Sequence, residues 1–267
     1  MLNTIIEEKR AEVAQRKIET SLSELIRRAE MQRDPVSLRK ALTQVVSSGI
    51  IAEFKRRSPS KGPINAQAEV VPVTQAYVQA GAAVLSVLTD TAFFGGSLND
   101  LAEARAANAC PILRKDFIID EYQIVEARAY GADVILLIAA CLDKQHLRSL
   151  AQLAKSLGME VLLEVHEAAE LDHYNPFVDA IGVNNRNLKT FAVSVDTSFE
   201  LLDQLPVEAI KISESGLDNP ETVLELLDKG YQGFLMGEYF MKQQDPGQAC
   251  SAFIEQIRHS FLKTPIA

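Results

Sequence analysis

Residues 50–62 read IIAEFKRRSPSKG. Ile50, Ile51, Ala52 and Phe54 form a short run that is apolar on both faces, as a strand covered on both sides requires. Glu53 and Lys55, two residues apart, leave the same face of an extended chain. Lys55, Arg56, Arg57 and Lys61 then crowd into a turn broken by Pro59, Gly62 and Pro63. An acid and a base at the end of an apolar strand cost free energy unless a partner or an anionic ligand compensates them. Alone, the pattern also fits a structural ion pair at a strand end. Its recurrence along the chain argues for more.

Short apolar runs recur at 50–54, 82–88, 111–117, 132–140, 159–165, 180–185, 209–215 and 233–238, with helical patterns in the gaps. Gly81, Gly131, Gly158 and Gly230 sit where helix C-caps belong, shortly before the next run. Asp143, Asp196 and Asn219-Pro220 sit where helices should begin. Eight βα units without a linker, low-complexity stretch or compositional break predict one (β/α)8 (TIM) barrel over residues 49–267. A doubly wound sheet would need fewer strands and usually a Gly-rich first turn, which Lys55–Lys61 does not provide. Residues 1–48 read as a helical extension, an appendage to the barrel, with Ile5, Ile6, Val13, Ile18, Leu22, Leu25 and Ile26 near helical spacing. Ser21 and Glu24 form a capping box, Asp34-Pro35 ends that helix, and Ser37 caps a third short piece.

Composition narrows the function. The 267 residues are 47% hydrophobic and 24% charged, an ordinary soluble globular balance. A net charge of −9 without a basic, aromatic-laced stripe argues against nucleic-acid binding. Local anion binding stays open, because remote charge is screened beyond about 8 Å. Cys110, Cys141 and Cys250 lie far apart and read as small apolar fillers. Glu7 and Glu8 and the lack of a continuous apolar core argue against a signal peptide, and no run reaches the ~18 residues of a membrane span. A cytoplasmic protein without membrane partners is expected. Oligomeric state is left open, with a monomer as the default.

Active sites of such barrels lie at the C-terminal ends of the strands. The ends supply Glu53 and Lys55; Arg114, Lys115, Asp116 and Phe117, with Lys115 and Phe117 on one face; Glu164; Asn184, Asn185 and Arg186; Glu214, Ser215 and Gly216; and Gly237 and Glu238. Two lysines and two or three carboxylates on one rim suggest acid–base catalysis, because crowding separates their pKa values. Ser215-Gly216 and Gly237-Glu238 follow the last two runs, where backbone N–H groups of these barrels hold phosphate. Glu238 could offer only its backbone N–H there. Adjacent phenylalanines such as Phe93 and Phe94 more often plug a core, yet Phe94 and Phe117 could grip an aromatic ring at about 0.5–1.5 kcal/mol per ring pair. His146, His166, His173 and His259 lack ligand spacing and are expected to be structural or surface residues, with no metal.

These pieces resemble indole-3-glycerol phosphate synthases. The resemblance rests on IAEFKRRSPSKG, VLTDTAFFGGS, PILRKDFIIDEYQI, GADVILLI, LLEVH, IGVNNRNLKTF, ISESGL and FLMGEYFM, in family order from Ile50 onward, and the helical extension is similar too. It implies conversion of 1-(o-carboxyphenylamino)-1-deoxyribulose 5-phosphate to indole-3-glycerol phosphate, releasing CO₂ and water, without metal or organic cofactor. By motif, Lys115 resembles the general acid acting on the ketone oxygen. Glu164 resembles the acid/base that helps the hydroxyl leave, and Glu53 a third catalytic carboxylate. Lys55 resembles a lysine that steers the anionic groups, and Asn184 and Ser215 polar groups that position the reacting centre. Ser58, Phe94, Phe117, Arg186, Glu214, Gly216, Leu235, Gly237 and Glu238 match substrate-contacting positions. Arg56-Arg57 makes the first loop more basic than the resemblance leads one to expect, and Leu217 replaces an isoleucine. No fused phosphoribosylanthranilate isomerase domain is expected. An isomerase-like barrel would need one acid and one base, and its strand-one cysteine is absent. A non-catalytic phosphate-ligand sensor need not keep Lys115 and Glu164 together.

Overall fold

The computed structural model describes residues 2–188 and 190–263. Eight parallel strands close on themselves: β1 Ile50–Phe54, β2 Val84–Leu88, β3 Ile112–Lys115, β4 Val134–Ile138, β5 Glu160–Val165, β6 Ala180–Asn184, β7 Ile210–Glu214 and β8 Gly233–Met236. Each pairs with its neighbours in chain order, and β1 closes the ring on β8 through Ile50–Phe234, Ile51–Leu235 and Ala52–Met236. The (β/α)8 barrel read from the sequence is the observed fold.

Helices α1 Leu2–Glu19, α2 Leu22–Ile26 and α3 Leu38–Thr43 precede the barrel. Helices α4 Val70–Ala80, α5 Leu98–Ala107, α6 Glu121–Ala129, α7 Lys144–Ser156, α8 Asp196–Leu201 and α9 Pro220–Asp228 cover the sheet, and α10 Glu238–Met241 and α11 Pro246–Lys263 follow β8. Gly81, Gly131, Gly158 and Gly230 all take positive φ at the helix ends. Two expectations fail. Between β5 and β6 only a 3-10 segment, Ala168–His173, forms, and the chain leaves it at Tyr174 (φ −59°, ψ 137°). α2 stops at Ile26 and not at Asp34-Pro35, with the 3-10 turn Ala29–Gln32 between them, whereas Asp196 does open α8.

Strand alternation divides the core in two. Ile50, Ala52 and Phe54 face the helices, as do Leu85, Val87, Leu163 and Val165. Ile51, Leu113, Val134, Leu162 and Ile212 point into the barrel, where Leu38 and Leu42 of α3 join them at the lower end. Each such side chain contributes about 1.5–3 kcal/mol on burial. The same parity directs Glu53, Lys115, Glu164 and Glu214 inward, one or two steps above this hydrocarbon floor.

The N-terminal segment is more than an appendage. α1 lies along α6, where the Tyr122 hydroxyl donates to the carbonyls of Arg16 and Thr20 and Arg16 pairs with Glu126. The chain then descends to the floor. Asp133, fully buried before β4, accepts from Arg33 Nη2 (2.8 Å) and Val36 N (2.8 Å) on one oxygen, and from Arg105 Nη1 (2.9 Å) and Ile112 N (2.8 Å) on the other. Glu160 holds Ser37 and Arg39 N in the same way. Among the described residues no helix is long and apolar enough to cross a membrane.

Asp133→Ala strands two arginines and two backbone N–H groups at once. The expected loss is about 3–5 kcal/mol of unfolding free energy, measured by urea denaturation. A loss below about 1 kcal/mol would mean that the floor holds without this carboxylate.

Candidate active site

At the C-terminal mouth of the barrel the inward positions and the βα loops enclose a cavity of about 680 Å³, well within the range of small-molecule sites. It is lined by Glu53, Lys55, Lys115, Glu164, Asn184 and Ser215, and by Ser58, Phe94, Phe117, Arg186, Glu214, Gly216, Leu235, Gly237 and Glu238. All fifteen residues that matched catalytic or substrate-contacting positions thus meet in one place, while Arg114 and Asn185 of the same strand ends lie outside the lining. Leu2 and Ile5 of α1 also reach it, which the sequence did not signal.

Lys115 occupies the centre. Its Nζ lies 2.9 Å from Glu164 Oε2 and 3.4 Å from Glu214 Oε2. Burial works against the ammonium, but Glu164, Glu214 and Glu53 outweigh it and hold Lys115 well above the ordinary lysine range. Burial likewise opposes charge on Glu164, and Lys115 and His166 overcome it, holding this carboxyl well below the usual range. Glu214 goes the other way. Burial, helped by Glu164 and Glu53 against Lys115, pushes it up to about 8. Two carboxyls on one lysine are therefore split into an ionised and a largely neutral form at pH 7, the separation that acid–base work needs.

Beside this group Lys55 Nζ pairs with Glu53 Oε1 at 2.7 Å, and Ser86 Oγ approaches Glu53 Oε2 at 3.5 Å. Two glycines make the room. A Cβ on Gly182 would stand 2.1 Å from Glu214 Oε1, and one on Gly237 2.5 Å from Glu53 Oε1. Glu214 Oε1 itself is buried, without a hydrogen-bond partner among the described residues. The rings of Phe94 and Phe117 face each other with centroids 6.1 Å apart.

The opposite side of the cavity is built from turns. Ser215 takes φ 68°, unusual for a residue with a Cβ, and Gly216 follows at φ 74°. Asn185, buried beneath, donates to the Ser215 carbonyl (3.0 Å) and to Ser213 Oγ (3.1 Å) and fixes this bend. Asn184 Oδ1 accepts from Arg186 N, and Arg186 Nη2 lies 3.3 Å from Glu238 Oε2. Lys61 stands more loosely, 3.9 Å from Glu238 Oε1. In the first loop Arg56 grips both oxygens of Asp100 and donates to the Gly95 and Ala68 carbonyls, tying the β1 and β2 loops together. The charge of Arg56 is thus taken up within the fold, and Leu217 is a buried apolar residue.

His166, expected to be structural or at the surface, pairs with a carboxylate of the site. Its Nε2 lies 3.3 Å from Glu164 Oε1 and its Nδ1 3.3 Å from Glu170 Oε2. Burial disfavours the imidazolium, but the two carboxylates raise its pKa to about 10, so it is charged at neutral pH. The signal available in sequence was its place two residues after Glu164, on a strand end already rich in charge. His146, His166 and His173 all lie outside the cavity lining, and His166 meets it only through Glu164.

Comparison with known proteins agrees with this geometry. The family model described as indole-3-glycerol phosphate synthase matches residues 2–253. An indole-3-glycerol phosphate synthase of Bacteroides thetaiotaomicron is 48% identical over 258 residues, covering 97% of this chain and 99% of that protein. One from Polaromonas naphthalenivorans is 45% identical over 253 residues, covering 93% and 96%. Among solved structures, 3-hexulose-6-phosphate synthase from Salmonella typhimurium superposes with a TM-score of 0.58 at 14% identity, covering 78% of this chain and 99% of that one. That last likeness is one of fold.

The carboxyl of Glu214 gives a test with a defined sign. Its folded pKa is raised to about 8. Its contribution to stability is therefore complete below the unfolded value, about 4.3, and is lost as pH rises through 8. Glu214→Gln, neutral throughout, should gain on the wild type in urea denaturation between pH 5 and pH 9. The expected gain is at least about 1.4 kcal/mol, one pKa unit. A constant or shrinking difference would mean that Glu214 is ionised at neutral pH.

Proposed function

The chain belongs to the indole-3-glycerol phosphate synthase family, and from that premise we propose how its rim divides the labour of the reaction. The substrate, 1-(o-carboxyphenylamino)-1-deoxyribulose 5-phosphate, combines a phosphate, a carboxylate and an aromatic ring. Its phosphate sits against the backbone N–H groups of the Ser215-Gly216 and Gly237-Glu238 turns. Arg186, Lys61 and Ser58 stand nearby. Its ring lies by Phe94 and Phe117, with Leu235 beneath. Lys55 steers the substrate carboxylate.

Ring closure follows. The ring carbon bearing the carboxylate attacks the ketone carbon, and Lys115 gives a proton to the oxygen as charge develops there. The bond to the carboxylate then breaks, CO₂ leaves, and its electron pair restores aromaticity. In the second half the new hydroxyl departs as water, protonated by an acid of the Glu164 group, and the adjacent methylene loses the proton that completes the indole. Glu53 and Glu214 take part in these transfers, and Asn184 and Ser215 orient the reacting centre. One observation supports this reading above the others: Lys115 lies between the carboxyls of Glu164 and Glu214 and opens on the same cavity as the aromatic pair. An isomerase-like or purely binding barrel would have no use for that arrangement.

The chain contains no tryptophan, so product indole fluorescence appears on a dark background. Purified protein with this substrate should generate it. Lys115→Ala should lose about 10²- to 10⁴-fold in kcat, the range for a placed general acid. It should still fold, since Glu164 keeps His166 and Glu214 is free to protonate. Turnover in both proteins would move the acid role to Lys55. Silence from a well-folded wild type would leave only the binding barrel.

A further inference from the structure

The buried stripe of α1 consists of Ile5, Lys9 and Val13. A lysine in the middle of an apolar stripe is costly to desolvate, yet Lys9 is only 1% exposed. Its Nζ lies 2.8 Å from Asp116 Oδ1, 2.9 Å from Asp90 Oδ2 and 2.7 Å from Glu12 Oε2. Burial disfavours the ammonium, and Asp116, Asp90 and Glu12 more than compensate, raising its pKa. Asp90 follows β2 and Asp116 follows β3, so this one cation bridges two neighbouring strand ends.

Both carboxylates also hold backbone. Asp90 Oδ1 accepts from Phe93 N (2.8 Å) and Phe94 N (3.2 Å). Asp116 Oδ1 accepts from Phe117 N (2.8 Å), while its Oδ2 accepts from Thr89 Oγ1 and Arg114 Nη2. The two ends of this chain of contacts are thus the backbones of the two facing rings. Asp116 has Arg114 as a second cation. Among the described residues, Lys9 is the cation within ion-pair reach of Asp90. Without it two buried carboxylates would be left close together, and like charges in a dry site repel strongly.

We propose that Lys9, which does not itself line the cavity, is a positioning residue for the aryl subsite: by drawing Asp90 and Asp116 together it sets the separation of Phe94 and Phe117. The inference rests on the synthase reading above and adds a residue to it. It predicts a selective defect. Affinity for the aromatic half of the ligand falls when Lys9 is removed, while the phosphate turns across the cavity keep theirs.

The experiment compares binding of indole-3-glycerol phosphate and of glycerol 3-phosphate by calorimetry. Lys9→Met should weaken the indole ligand by about 5- to 30-fold, the loss of one to two ring contacts, and glycerol 3-phosphate by no more than about two-fold. Adding Asp90→Asn to it, which removes the repulsion, should recover part of the indole affinity; loosening of α1 would not be rescued this way. Val13→Ala, which weakens the packing of α1 without touching the carboxylates, should leave the ratio of affinities unchanged. Should Lys9→Met not fold, Asp90→Ala, which frees Phe93 N and Phe94 N but leaves Lys9 paired, should show the same selective loss. Equal losses for both ligands, no loss in folded variants, or a selective loss in Val13→Ala would each overturn the proposal. A wild type that binds no indole-3-glycerol phosphate would overturn the functional reading and this one with it. Tight wild-type binding that the variants retain would overturn this one alone.

Discussion

The Lys115 ammonium is half-buried in the barrel mouth, and the site around it is arranged to make that charge tolerable. An unpaired ammonium there would cost several kcal/mol. Glu164 and Glu214 both lie within ion-pair distance, but two full negative charges on one lysine would overcompensate. Burial raises the pKa of Glu214 to about 8, and Glu164 has a second cation, His166, 3.3 Å away. Glu170 in turn balances His166, and Lys55 balances Glu53. The mouth therefore closes near neutrality before any substrate arrives. It contains one carboxyl able to donate and one able to accept, on either side of an ammonium that can do the first.

Alternation along the strands makes this possible. A step of two residues carries β1 from Ile51, in the hydrocarbon floor, to Glu53 in the mouth, and β5 from Leu162 to Glu164. Charge begins where the floor ends, within reach of the cavity. Backbone shape sets the lateral fit, since the carboxylates of Glu214 and Glu53 occupy the volumes that side chains at residues 182 and 237 would take. The glycines are thus part of the electrostatics, because they decide how closely the acids approach Lys115 and Lys55.

Much of this was legible in the sequence, for a physical reason. Strand parity is a local property, so Glu53 with Lys55, and Lys115 with Phe117, can be assigned to one face from spacing alone. The helix-end glycines and the caps Ser21, Ser37, Asp143 and Asn219 are local too, and they lie where expected. Residues whose role depends on long-range partners were not legible. His166 needs Glu170 from the following 3-10 segment, Asn185 needs Ser213 and Ser215, and Asp133 draws donors from residues 33, 36, 105 and 112. Lys9 left a faint trace, as a charge at i+4 from Ile5 and i−4 from Val13. Nothing local says that two aspartates from different strand ends will meet it.

The extension joins what a barrel of this kind keeps apart. In the (β/α)8 architecture the lower end serves stability and the upper end serves chemistry. Here one segment enters both. Residues 33–42 pack against the floor through Asp133, Glu160, Leu38 and Leu42, while α1 sends Lys9 under the aromatic walls and Leu2 and Ile5 into the cavity itself. The span between them follows α6 through Tyr122 and Glu126, and Glu126 also pairs with Arg114, the second cation on Asp116. A continuous set of largely buried polar contacts therefore runs from the N-terminal extension to the strand that carries Lys115. Because an isolated buried charge is costly, these contacts are mutually dependent: Lys9 and Arg114 together balance the buried Asp116, and Asp116 and Glu126 together balance Arg114. The geometry of the site is in this way set partly by residues that precede the first strand.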